Sequence, residues 1–276
     1  VSTAFAVRSS GAHGRLREVA VRAVQEELGL RANLGRVHLE LVPFALVASD
    51  VALDDPIYGR LAEARTLRIR PSLRALFRGT LDLSGIDLED ASVRLVVRDG
   101  AIRNVPRIEP SAGGGPPTLP FRELTIRRSS VTIDAEPYLT AEVRGVEATV
   151  RGEAGHVIAI DARAEGGEIT HGTGIEPLTT LAASVRISAN HLVVPSAELA
   201  LGPLVVSARD AVVALPFPAD PRDIAGVSGH VEVDYDLAHL ASLSLPFSLP
   251  RLEGLVSVRA DVTSRDGAPL GRMTVH

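Results

Sequence analysis

The eight histidines, His13, His38, His156, His171, His191, His230, His239 and His276, are the side chains best suited to hold a metal or move a proton near neutral pH. A metal site asks for two or more ligands closely spaced on one element, and the histidines do not pair in that way. No metal site is expected. His171 lies in Gly167-Glu168-Ile169-Thr170-His171-Gly172 and reads as an exposed turn. The acidic pairs Asp54-Asp55, Glu89-Asp90 and Asp234 with Asp236 could serve acid and base catalysis only where an apolar setting raised one carboxyl pKa. Their neighbours are polar, so they read as the solvated face of a sheet. Gly172-Thr173-Gly174 is a fragment of a phosphate loop without the strand-to-helix setting, and no Gly-x-Ser-x-Gly elbow occurs.

Absent residue types exclude more. Every basic residue other than His is Arg, so a P-loop, a Schiff-base lysine and a Ser-Lys dyad are ruled out. No Cys is present, which removes thiol nucleophiles, disulfides and thiolate zinc sites. The chain therefore reads as non-enzymatic and free of cofactors. Its net charge of -5 is spread along the whole length, so no basic block announces nucleic acid. Aromatics make up only 3% and Trp is missing, so the stacking platforms of sugar or single-strand binders are lacking too. What remains is aliphatic surface, which recognises without direction.

The elements that present this surface follow from its period. From Gly11 to Leu28 the apolar residues Leu16, Val19, Ala20, Ala23, Val24 and Leu28 form one helical stripe, closed by Gly29. This predicts an N-terminal amphipathic helix. After Gly35 the period becomes two: Val37, Leu39 and Leu41; Leu67 and Ile69; Leu81 and Leu83; Val93, Leu95 and Val97; Leu124 and Ile126; Val131 and Ile133. It continues through Ile158, Ile160 and Ala162; Val185 and Ile187; Val231, Val233 and Tyr235; and Val256, Val258 and Ala260. Turn signals at Asp99-Gly100, Gly166-Gly167, Gly202-Pro203 and Asp266-Gly267 space these segments as an antiparallel meander. Two short helices are expected, at Ser72 to Arg78 and at Leu237 to Leu243. Ser111 to Pro120, with Gly113-Gly114-Gly115-Pro116-Pro117, reads as a flexible connection. The expected organisation is a helical start over 1–35, a first β module over 36–110, a linker over 111–120 and further β repeats over 121–276. No apolar run is long enough to span a bilayer, while Val1 to Val7 could be the trailing end of a signal or anchor helix.

Three stretches carry a likeness. Glu26-Glu27-Leu28-Gly29-Leu30 leads through Leu34-Gly35-Arg36-Val37-His38-Leu39 from helix to first strand. Ala64 to Gly79 and Leu81-Asp82-Leu83-Ser84-Gly85-Ile86-Asp87-Leu88 then read as strand, short helix, strand. Ala91-Ser92-Val93-Arg94-Leu95-Val96-Val97-Arg98-Asp99-Gly100 with Asn104 completes the module. This region, from about Gly11 to Pro106, resembles the AsmA-like and TamB proteins, and Asp236-Leu237-Ala238-His239-Leu240 resembles their interspersed short helices. Arg103 stands where that family often has an aromatic. The resemblance implies a periplasmic protein of Gram-negative bacteria, anchored in the inner membrane by a preceding helix. Its elongated, curled antiparallel sheet would form an open groove that conducts phospholipid between inner and outer membranes. The groove would be lined by Leu39, Leu41, Leu67, Ile69, Val93, Leu95, Val131, Ile133, Ile158, Ile160, Val185, Ile187, Val231, Val233, Val256 and Val258.

Two other readings stand beside it. An open sheet edge could pair with an outer-membrane β-barrel protein or its client, making the chain an assembly scaffold. Alternatively the apolar face is the core of a closed β domain.

Overall fold

Alternating aliphatic and polar side chains select extended backbone, because only there do successive residues point to opposite faces. The computed structural model describes residues 30–72, 83–99, 101–105, 119, 121–135, 137, 139–154, 156–172, 174–214, 226–238, 254–265 and 268–276. Within them the protein is mainly β. The strands are β1 (Arg31–Asn33), β2 (Val37–Leu41), β3 (Phe44–Asp55), β4 (Gly59–Pro71), β5 (Leu83–Arg98), β6 (Ala101–Ile102), β7 (Glu123–Ala135) and β8 (Leu139–Glu153). They continue as β9 (Val157–Ala164), β10 (Gly166–His171), β11 (Gly174–Ile187), β12 (His191–Leu201), β13 (Leu204–Ala214), β14 (Gly226–Asp236), β15 (Leu255–Arg265) and β16 (Ala268–Val275). The helix expected at 11–28 and the linker core at 111–118 lie outside the described residues. So does nearly all of the helices expected at 72–78 and 237–243.

The chain divides into two compact units. The first takes Val1–Glu109, Leu119–Gly152 and Ile169–Gly174, and the second Pro110–Thr118, Glu153–Glu168 and Ile175–His276. In the first unit the strand order is β1-β3-β4-β5-β7-β8, with β2 also on β3. In the second, β11 to β16 follow one another as an antiparallel meander, with β9 on the other side of β11.

The expectation of a wholly antiparallel sheet is corrected at one pairing. β5 and β7 run parallel, with Val93 opposite Val131 and Leu95 opposite Ile133. The segment between Arg98 and Glu123 is long enough to return the chain to the starting end, which a tight hairpin cannot do. Asp134, only 6% exposed, fastens this pair by accepting from Arg94 at 2.7 Å and Arg98 at 3.1 Å. Beyond the reach of β4, the upper part of β5 is completed by Asn104. Its Oδ1 accepts from the Val96 amide at 2.9 Å and its Nδ2 donates to the Arg94 carbonyl at 2.6 Å.

Several strands are longer than their alternation predicts, because a crease joins two half-strands of opposite parity. Asp50 in β3, Asp90 in β5, Arg128 in β7 and Gly145 in β8 all have positive φ, between 49° and 63°. Such a residue twists the strand by about half a pleat, so the face that carried even positions now carries odd ones. Ala48 and Val51, three residues apart, accordingly share one buried cluster with Leu34, Val37, Ala64 and Ala91. Leu46, Leu67 and Leu88 pack against that cluster. The core of the first unit therefore sits at the crease, on small side chains that let the two halves approach. In the second unit Asp210 of β13 repeats the device, and Gly229 of β14 lies against it.

Candidate functional site

Residues opposite one another in a ladder share a face, so the strand register converts the sequence's aliphatics into rows running across the strands. In the first unit one row is Leu39, Leu46, Ile69, Ile86, Leu124 and Val150, and the next is Val37, Ala48, Leu67, Leu88, Ile126 and Ala148. Past the crease, Leu53, Ala62, Val93, Val131 and Val143 form a third row, and Leu95, Ile133 and Ala141 a fourth. The register thus brings together Leu39, Leu67, Ile69, Val93, Leu95, Val131 and Ile133. Leu41 is opposite Phe44 at the end of the β2–β3 ladder.

In the second unit Leu181, Leu199, Val206, Val233, Val258 and Val275 make one row, and Ala183, Ala197, Ala208, Val231, Ala260 and Met273 another. Leu201, Leu204, Tyr235 and Val256 make a third. Ile158 is opposite Ile187 and Ile160 opposite Val185. At about 4.8 Å per strand, a six-strand row is roughly 24 Å long.

Burial sets the rows of the second unit apart from a sealed core, whereas those of the first include the core residues Val37 and Ala48. Leu39 is 43% exposed and Leu41 47%, and every other residue named from the sequence as lining the face is half-buried. The contrast between units is sharp. The first buries Val37, Ala48, Val51, Ala64, Ala91, Ala141 and Val143, whereas the buried hydrophobics described in the second are Ala159 and Leu178.

The opposite face is largely polar and self-neutralising, although in the first unit it also carries the buried Ala45, Val47 and Val96. Arg68 donates to Glu40 at 3.1 Å, Arg70 to Asp87 at 3.1 Å, Arg128 to Asp90 at 2.9 Å and Arg151 to Glu123 at 2.9 Å. In the second unit Arg259 donates to Glu232 at 2.6 Å, and that bond holds the guanidinium above its usual pKa. Gly85 makes one of these pairs possible. A Cβ there would stand 2.5 Å from Nη2 of Arg70, whose guanidinium lies flat on the bare backbone.

A shallow depression on this polar face gathers Ser207, Arg209, His230, Glu232, Arg259 and Asp261. Asp261 meets Nδ1 of His230, but both side chains are about two-thirds exposed, which makes the contact a surface pair open to water. Among the described residues no group of three or more His, Asp or Glu is placed to hold a metal ion. The apolar rows, by contrast, carry a single hydrogen-bonding side chain, Tyr235 in the second unit, so what they can chiefly do is exclude water from something equally apolar.

Sequence reasoning missed the members contributed by β3, β8, β12 and β13, among them Leu46, Leu53, Val143, Leu199 and Val206. Strict alternation breaks at Asp50, Gly145 and Asp210. A search permitting one parity slip at an Asp or Gly followed by a small or β-branched residue would have recovered those on β3, β8 and β13, whereas β12 holds no such residue. No helix among the described residues is long and apolar enough to cross a membrane. No family model, curated protein or solved structure matches the chain.

Proposed function

We propose that this chain is a periplasmic AsmA- or TamB-like segment that holds phospholipid acyl chains on its aliphatic sheet face and passes them between inner and outer membrane. The observation that carries the reading is the row Leu181, Leu199, Val206, Val233, Val258 and Val275. It runs across consecutive strands, is purely aliphatic, and leaves Val233 and Val258 only half-buried. Each methylene moved from water onto such a face is worth about 0.8 kcal/mol, so an acyl chain along a row recovers much of what its extraction from a bilayer costs. The polar face keeps the outside wettable. The periplasmic setting and an inner-membrane anchor rest on the resemblance of residues 11–106.

The test is titration with cis-parinaric acid, a fatty acid that fluoresces when shielded from water. The reading expects saturable fluorescence that oleate displaces and that Val206→Asp weakens. A second reading, a scaffold for outer-membrane protein assembly, draws on β16. Among the described residues it pairs with β15 alone, leaving its other edge free to add a strand. That reading expects Met273→Pro, which removes an amide facing away from β15, to abolish partner binding while fatty-acid binding survives.

A further inference from the structure

One end of the first unit carries aliphatic side chains where turn chemistry favours polar ones. The β3–β4 turn is Asp55-Pro56-Ile57-Tyr58, in which Oδ1 of Asp55 accepts from the amides of Ile57 at 2.8 Å and Tyr58 at 2.7 Å. Proline fixes φ and the aspartate locks the loop, yet the residue this rigid turn presents is an isoleucine, 81% exposed. The neighbouring loop is built as firmly. β4 pairs with β5 only as far as Ala62 opposite Val93. Past that point the Val96 amide and carbonyl are taken by Asn104 Oδ1 and by the Arg103 amide, the latter at 2.8 Å. This places residues 101–105 end-on to β4, beside the β3–β4 turn, and they present Ile102 at 52% and Val105 at 39% exposure.

We propose that Ile57, Ile102 and Val105 form a preorganised tip that inserts shallowly into the surface of a lipid bilayer. Three features select lipid over protein. The amides of Ile57, Tyr58 and Arg103 are satisfied internally, so the tip offers a partner little directional bonding. It also lacks the Trp or free Arg anchors that concentrate energy in protein interfaces. Arg60 is held by Asp54 at 2.6 Å and Glu63 at 2.8 Å, Arg103 by Asp99 at 3.0 Å, and Asp55 adds a further carboxylate in the turn, so the surrounding charge is net negative and gives no pull toward anionic headgroups. Insertion therefore depends on hydrocarbon and gains nothing from anionic headgroups.

The experiment is flotation of the full chain with vesicles of phosphatidylcholine alone and of phosphatidylcholine mixed with phosphatidylglycerol. Circular dichroism monitors the fold. The expected result is flotation with phosphatidylcholine, equal or weaker flotation with the mixture, and a drop of roughly tenfold or more in Ile57→Ser/Ile102→Ser. Ile175→Ser, whose side chain is 64% exposed in the second unit, should float like the parent. No flotation of the parent, undiminished flotation of the double variant, equal loss in Ile175→Ser, or binding to anionic vesicles alone overturns the proposal. Fatty-acid binding by the double variant is a separate readout, so the tip and the acyl-chain face fail independently.

Discussion

The hydroxyl of Ser129 accepts a hydrogen bond from the amide of Ala91 at 3.1 Å and donates one to the carbonyl of Arg127 at 2.9 Å. It thereby replaces a ladder bond that the crease removes, since the β5–β7 register skips from Glu89 opposite Arg127 to Ser92 opposite Ser130. Ser129 is only 3% exposed, so no water substitutes for it. Ser129→Ala is expected to lower stability by about 1 to 3 kcal/mol, read as a lower urea midpoint at unchanged slope. An unchanged midpoint would mean that the crease needs no side-chain bridge.

The crease itself is testable at Asp210, whose φ is 50°. Asp210→Gly is expected to be close to neutral, because relief of the left-handed conformation offsets the greater freedom of glycine in the unfolded chain. Asp210→Val places a β-branched side chain at positive φ and should cost about 1 to 3 kcal/mol. Thermal melts of the two variants give the comparison, and equal losses would contradict a crease that turns on backbone conformation.

Across the same crease, Gly229 has φ 150° and a Cβ there would stand 2.6 Å from the Cα of Ala211. Backbone cannot swing aside as a long side chain can. Gly229→Ala should therefore push β13 from β14 and cost about 2 to 3 kcal/mol, with faster amide exchange in both strands. Gly59→Ala, where no atom lies within 4 Å, tests the φ of 78° without the clash and should cost less.

Acid should release one contact in a definite order. The hydrogen bond from Arg128 holds the Asp90 carboxyl below its usual pKa, with Arg65 adding attraction. A depressed carboxyl contributes stability that is fully present above the usual carboxylate pKa and is lost as pH falls through the depressed value. Asp90→Asn should accordingly be less stable than the parent near neutral pH, with the gap closing in strong acid. High salt should shrink the gap as well, because Arg128 is 60% exposed. A gap that persists at low pH would assign the loss to packing.

Much of the architecture could be read from the chain, for reasons visible in single strands. Val93 and Leu95, or Val231 and Val233, alternate without interruption, and a half-buried strand is the only element that uses that period. β5 shows the limit. Its residues Leu83 and Val93 to Val97 read as separate segments, while Asp90 joins them into one strand. The parallel pairing of β5 with β7 was hidden for another reason: side-chain period does not encode strand direction, and the return segment after Arg98 has no hydrophobic pattern of its own. Asn104 was named within the family module, but its bonds to Val96 and Arg94 follow from where β4 stops. Which aliphatics form one row depends on register, and register is a tertiary property.

The central claim is that the aliphatic rows hold acyl chains, and native mass spectrometry of gently purified protein tests it most directly. Val233→Asp/Val258→Asp is the companion variant. Both residues are half-buried, so the carboxylates stay in reach of water and the fold, followed by circular dichroism, is expected to survive a cost of about 1 to 3 kcal/mol at each site. The account predicts phospholipid bound to the parent and absent from the folded variant. A parent free of lipid, or a variant carrying as much lipid as the parent, would contradict it.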